Sequence, residues 1–438
     1  MRRKIIILFG FIIAGCTAAL AMNLNESIDT ALQNSPSVNA AQKNYTAAQA
    51  RFYQAGGALA PHVTLNGSTG KSYNQPMTVT IPGTGSFSLS PDETAQINSY
   101  SLSLSQPLFT GGKLLQAFRI ADASFQIAGE DLKKEKDSTS FNVVNAYYTV
   151  LKADKMVELN QQQIDNTQKY LDMVKVFYSS GLSTKADMLR VEAELANLRQ
   201  AQIRLKNILT VSKLSFNSIL GRDLKTEVSL QEPSENIFVD KEVAVPTLLK
   251  TAYEKRPEWR AFLQATRIAD ETVGLARGDF FPQLMLSGSY GSTYTNYPQT
   301  RHFDLRNWKA MVMGSFNIFD GFYNWNKVWE AQANVDMMKA QKQGLSDNIE
   351  LEITSAASDL QSTYEQIAAA KITVDLSQDS FEYAEASYKS HIGTNIAVLD
   401  AQTLLFQSQS SLWSAKYDYQ IAKAKINKAV GVTIFPVQ

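Results

Sequence analysis

The sequence predicts a mainly α protein with a β portion: long antiparallel coiled-coil helices and four strands in one chain. Three observations carry this. The stretch Leu108 to Leu220 recurs 210 positions later as Ile318 to Val430, opening Leu108-Phe109-Thr110-Gly111 in one copy and Ile318-Phe319-Asp320-Gly321 in the other. None of the twelve prolines lies between Pro107 and Pro233 or between Pro298 and Pro436. Beside these limbs, short segments alternate polar and apolar residues with period two, as in Tyr100-Ser101-Leu102-Ser103-Leu104-Ser105. An uninterrupted limb of about 70 residues spans roughly 100 Å at 1.5 Å per residue. No compact core needs a helix that long.

A chain of 438 residues would ordinarily hold about three domains, but an internal repeat overrides that expectation. Its 42 basic residues balance its 42 acidic ones. Long-range attraction to nucleic acid or to an anionic surface therefore has no support.

Residues 1–21 read as an export signal peptide, Met1-Arg2-Arg3-Lys4 followed by the apolar run Ile5 to Ala14. Two processing routes are open. Ile13-Ala14-Gly15-Cys16 resembles a lipoprotein box, which would lipidate Cys16, the only cysteine. Ala19-Leu20-Ala21 fits an ordinary signal-peptidase site. If a helix of about 35 residues climbs from Leu24 to a membrane, its foot lies roughly 50 Å below. The eight or so residues from Cys16 reach only about 27 Å. That mismatch favours cleavage after Ala21. Beyond the signal no apolar run is long enough for a transmembrane helix, and without further cysteines there is no disulfide framework.

The first structural repeat, residues 22–221, opens with a helix from Leu24 to about Leu59 that carries Pro36 near its first turns. Ala60-Pro61 ends it, and a β-hairpin occupies 61–110, its strands joined by a polar Gly/Pro-punctuated loop over about 74–99. A long helical hairpin follows, with Thr110 a candidate N-cap. Its outgoing limb holds a seven-residue series, Val143, Val150, Val157, Ile164, Leu171, Tyr178, copied as Ile353, Leu360, Ile367, Val374, Phe381, Tyr388. The returning limb answers with Met188, Val191, Leu195, Leu198, Leu205, Leu209 and Phe216, broken only at Gln202 and Ser212. Such spacing under-winds helices into a left-handed antiparallel coiled coil.

Residues 222–246 form a polar, acidic equatorial linker. The second repeat, 247–431, matches the first: Pro36 with Pro257, Ala60-Pro61 with Phe281-Pro282, Gly67-Ser68 with Gly288-Ser289. Its hairpin at 282–319 has strands over Gln283 to Gly291 and Trp308 to Phe316 around a loop, and 432–438 is a short tail.

Strands of about ten residues can cross a bilayer when tilted. Four cannot close into a barrel, and open edges are not tolerated in lipid. Two copies would give a barrel filled by its own side chains, whereas three give twelve strands and a lumen. The serine face beside Leu102 and Leu104 favours a wet interior, hence a trimer.

The duplicated helix–strand–strand–helix unit, the exit Leu108-Phe109-Thr110-Gly111-Gly112 and the turn region Tyr388 to Gln402 resemble the outer-membrane efflux proteins of the TolC type. The resemblance covers about Leu24 to Val430. It implies a homotrimer with a twelve-stranded β-barrel in the outer membrane and a twelve-helix periplasmic tunnel. It further implies a passive exit duct for a tripartite efflux or type I secretion system, working with a periplasmic adaptor and an inner-membrane pump.

Catalytic chemistry is not expected. His62, His302 and His391 lack metal-ligand spacing, Gly83-Thr84-Gly85 lacks the rest of a phosphate loop, and carboxylates are scattered. Met311 and Met313 read as barrel lining rather than a soft-metal path. Neither a metal nor a cofactor is implied.

A duct needs a gate, and the resemblance places it at the hairpin turns around Gly181 and Gly393, which also serve as the tip for adaptor docking. In the family a tyrosine of the second hairpin bonds an aspartate of the first, and aspartate rings constrict the opening. The matching residues are Tyr388 and Asp187, with Asp400 at one ring position. The other ring position holds Ala397, the family's arginine falls on Gly393, and the second turn's glycine is displaced by two residues. Tyr388 also closes the heptad series, and Asp187 also stands where a helix N-terminus favours a carboxylate. The competing class is a periplasmic coiled-coil adaptor or structural spacer. An adaptor would carry one helical hairpin between β-rich domains; a spacer would not need the Ser/Leu alternation.

Overall fold

The computed structural model describes residues 21–73, 75, 77–88, 94–232, 244–297 and 302–432. Cys16 with most of the export signal, the end of the linker (233–243) and the tail beyond 432 lie outside the described residues. The first half runs α1 (Leu24–Asn34), α2 (Pro36–Gly57), β1 (His62–Tyr73), β2 (Thr78–Ile81), β3 (Gly85–Ser88), β4 (Thr94–Thr110), α3 (Lys113–Ser179) and α4 (Lys185–Ile219). The second runs α5 (Val245–Lys255), α6 (Pro257–Arg277), β5 (Gln283–Asn296), β6 (His302–Ser315), α7 (Tyr323–Lys389) and α8 (Asn395–Val430).

The single opening helix expected from Leu24 to Leu59 is two helices. Ser35 is extended at ψ 127°, and Arg256 repeats this between α5 and α6 at ψ 122°. A proline follows each. Its Cδ clashes with a helical conformation of the residue before it, so the break falls one position upstream. The long limbs are continuous: α3 and α7 each have 67 residues. Thr110 ends β4 instead of capping α3 directly, although its hydroxyl accepts the Leu114 N–H at 3.4 Å. Between them the chain turns through Gly111 (φ +65°) and Gly112 (φ +82°). A Cβ on Gly111 would lie 2.2 Å from the Gly278 carbonyl oxygen, so that turn needs glycine.

Two compact units cut across the repeats, each taking segments from both halves. One comprises Lys43–Asp131 and Glu258–Leu345. It holds a four-stranded antiparallel sheet in the order β1-β4-β5-β6. The strands are longer than expected; β5 and β6 absorb most of the anticipated second loop. Inside the expected 74–99 loop, β2 and β3 form a small separate hairpin. Its turn uses Gly83 and Gly85 at positive φ, chemistry that reads as a loop in the sequence. A register shift between Pro107 and Phe109 accommodates a proline in β4, which cannot donate to a ladder.

The register gives the sheet two unlike faces. Leu65, Leu102, Tyr290 and Trp308 lie in line across one, and Asn66, Ser101, Gly291 and Asn307 across the other. In the same unit Val273 and Ala276 of α6 pack on Ala331 and Val335 of α7, and Phe52 of α2 meets Phe118 of α3 at 5.0 Å between centroids. Asp279 joins Lys113 (2.6 Å) and Lys327 (2.8 Å). Burial alone would raise the Asp279 pKa, but the two ammonium groups hold it below the usual carboxylate value.

The other unit comprises the residues up to Gln42, Leu132–Pro257 and those from Ser346 onward. One core gathers Ile28 and Ala31 of α1, Val143, Tyr147 and Val150 of α3, and Phe216 of α4, with Val228 of the linker and Tyr417 of α8. The described part of the linker is irregular but anchored. Tyr147 donates to the Gln231 carbonyl at 2.6 Å, and the Asn217 amide donates to Leu224 (3.0 Å) and Thr226 (2.8 Å) carbonyls.

Along the helical hairpins the heptad residues Val143, Val150, Ile164, Leu171, Val191, Leu195, Leu198 and Phe216 are buried. Tyr178, last in the first series, is 42% exposed, whereas its copy Tyr388 is 8% exposed. Gln202, the break in the returning series, is buried and accepts from the Asn160 amide at 2.7 Å. The break is therefore a satisfied polar layer, not a gap in the seam.

Candidate gate at the helical turns

The turn α3–α4 closes with the Leu182 N–H on the Phe177 carbonyl at 2.8 Å and Gly181 at φ +76°. The turn α7–α8 repeats it, Ile392 N–H to Ser387 carbonyl at 3.0 Å, but with His391 in the left-handed position at φ +61°. That is how the displaced glycine is accommodated. Gly393 serves a different need: a Cβ there would stand 3.0 Å from both the Ser387 Cβ and the Tyr388 nitrogen. The His391 ring, exposed, lies 4.9 Å from that of Phe177.

Each following helix is capped by threonine. Thr394 accepts the Ala397 N–H at 3.3 Å. Thr184 and Asp187 form a full capping box: Thr184 accepts the Asp187 N–H at 3.1 Å, and the Asp187 carboxylate accepts the Thr184 N–H at 3.2 Å. The Thr184 hydroxyl also donates to that carboxylate at 2.6 Å. This hydroxyl bond leads the causes that hold the Asp187 pKa below the usual value, with Asn395 and Arg190 adding to it against a burial penalty.

Tyr388 and Asp187 thus belong to one cluster, but they are not bonded to each other. The Tyr388 hydroxyl is 3.3 Å from the Ser183 hydroxyl, and its ring meets Tyr170 at 5.4 Å and Phe177 at 5.9 Å. The cap has taken the carboxylate that the family pattern assigns to the tyrosine. The tie between hairpins passes instead through Asn395, buried at 3% exposure. Its side-chain oxygen accepts from the Tyr170 hydroxyl at 2.8 Å, and its amide donates to the Asp187 backbone carbonyl at 3.1 Å. One side chain of α8 so binds both helices of the first hairpin. Burial, then the neighbouring Tyr388 hydroxyl and the Asp187 charge, raises the Tyr170 pKa and keeps it a donor.

Asp400 is exposed on α8, and Gly181 and Gly393 lie in the turns as expected. Sequence reasoning missed Tyr170 and Asn395. Tyr170 sits one position before the heptad residue Leu171, and Asn395 looks like an ordinary helix-start polar residue. Among the described residues, no group of three or more His, Cys, Asp or Glu is arranged to hold a metal ion. No described helix is long and apolar enough to cross a membrane.

A two-faced antiparallel meander joined to paired helical hairpins of this length defines an outer-membrane channel protein. The chain belongs to the outer membrane efflux protein family, whose model matches residues 27–222 and 248–432. It is 24% identical over 439 residues to the outer membrane protein TolC of Salmonella enteritidis, covering 98% of this chain and 86% of that one. With the alkaline protease secretion protein AprF of Pseudomonas aeruginosa it shares 24% identity over 442 residues, covering 99% and 89%. The solved structure of VceC from Vibrio cholerae superposes with a TM-score of 0.80 at 20% identity, covering 94% of this chain and 97% of that one. The protein is an outer-membrane channel with a helical part extending into the periplasm.

Proposed function

We propose that three copies of this chain assemble into a passive exit duct, serving a tripartite efflux or type I secretion system. The sheet carries this reading: its edges β1 and β6 are unpaired in the single chain, and lipid does not tolerate open edges. Three sheets closing edge to edge would give a twelve-stranded barrel, the Leu102/Trp308 face to lipid and the serine face to water. The two repeats, 22–221 and 247–431, would contribute equivalent hairpins to a twelve-helix tunnel. A periplasmic adaptor engaging the turns around Gly181 and Gly393, and an inner-membrane pump, would complete the path.

The cluster at the turns is its gate. Asn395 and Tyr170 hold the two hairpins together, Tyr388 packs between them, Asp187 fixes the start of α4, and the exposed Asp400 charges the opening. Fractionation with outer membranes, together with a heat-sensitive trimer band on gels, tests the assembly. A water-soluble monomer would favour the periplasmic spacer reading and remove this one.

A further inference from the structure

We propose that Lys309 makes the lumen of the barrel selective for anions. This rests on the reading that the serine face lines that lumen. On that face the cross-strand line reads Thr64, Ser103, Ser289, Lys309. Followed through the whole register, the face is otherwise hydroxyl, amide and small or apolar groups, with one imidazole, His62, at the start of β1. Lys309 is the only lysine, arginine, aspartate or glutamate among the described strand residues pointing that way.

The opposite face shows the contrast. Its charged residues are Lys71, near the far end of β1, and Asp304 and Arg306, which pair with each other at 3.1 Å. Lys309 is exposed and has no such partner among the described residues. Three copies would set three unneutralised ammonium groups at one level of a narrow, low-dielectric wall, an arrangement that concentrates counter-ions and repels cations. A ring of this kind enriches anionic solutes inside the barrel, without contacting any one of them specifically, whatever the Asp400 charges do at the opening.

The test places a reporter thiol at Ser289, the cross-strand partner of Lys309 on the same face. The Ser289→Cys protein in lipid vesicles is reacted with anionic sulfonatoethyl and cationic trimethylammonium-ethyl methanethiosulfonates, the unsubstituted protein serving as the control for Cys16. Taking the ratio of the two rates cancels any change in the thiol's own ionisation. The anionic-to-cationic rate ratio should exceed that of a small free thiol in solution, and Lys309→Gln should lower it on the order of tenfold at low salt, less at high salt. Lys309→Arg should preserve the ratio and Lys309→Glu should bring it below the free-thiol value. Equal ratios in all four backgrounds, with a reactive thiol, would overturn the proposal and leave the duct intact. A thiol that reacts only after unfolding would overturn the water-lined face itself.

Discussion

At Asn395 two hydrogen bonds leave in opposite directions, to Tyr170 and to the Asp187 carbonyl. Removing the side chain strands a buried tyrosine hydroxyl, so Asn395→Ala should destabilise the assembled protein by about 2 kcal/mol. Tyr170→Phe should cost less, because the bond to Asp187 survives. The pair should be strongly non-additive in a double-mutant cycle read by thermal denaturation. Asp187 adds a pH dependence of definite sign. Its folded pKa lies below the ordinary value, so its stabilisation is complete above about pH 4 and is lost as pH falls through the folded pKa. The stability gap between wild type and Asp187→Asn should close on acidification; a gap constant from pH 7 to pH 3 would contradict this. His391, by contrast, holds a left-handed conformation that disfavours a side chain. His391→Gly should gain up to about 1 kcal/mol, reduced by whatever the Phe177 contact contributes, measurable as a raised denaturant midpoint.

Among the elements, the helical hairpins were the most legible in the sequence and their polar layers the least. A seven-residue period announces the seam directly, and Gln202 announces a break, but not its partner. Asn160 lies 42 positions away on the other limb, and only the fold brings them to 2.7 Å. Gln202→Ala should therefore cost about 2 kcal/mol by taking one of the two acceptors of the buried Asn160 amide, which keeps only the Leu198 carbonyl, whereas Asn160→Leu with Gln202→Leu should be near neutral. Denaturation of both variants checks the difference; equal losses would mean that the hydrogen bonds themselves, and not the loss of a buried partner, carry the layer. Pro36 and Pro257 marked the helix breaks plainly, yet proline is also at home in a first turn, so the pattern alone did not choose. In the sheet, alternation located β4 and β1. It stopped short of the end of β5, where Ser292, Thr293, Thr295 and Asn296 are polar on both faces, and of the start of β6, where Leu305 falls on the face opposite Trp308 and Val312 and the apolar phase reverses. The proposed gate was legible only as a region. Tyr388 and Asp187 could be placed in it by family likeness, but the local cap that occupies Asp187 outcompetes the long-range bond and cannot be seen from spacing.

For the whole molecule, membership in the efflux family and the two-faced sheet make a channel, and the hairpin turns are where it would close. The Asn395 clasp sits in the chain's own variation on that theme, where Ala397 and Gly393 replace polar residues of the family pattern. The most direct measurement is single-channel conductance of the purified protein in planar bilayers, wild type against Asn395→Ala combined with Tyr388→Phe. A duct held shut by this cluster gives small steps in the wild type and steps several times larger in the double variant. Identical step sizes, in proteins that insert equally well, would show that the turns around Gly181 and Gly393 do not gate the channel.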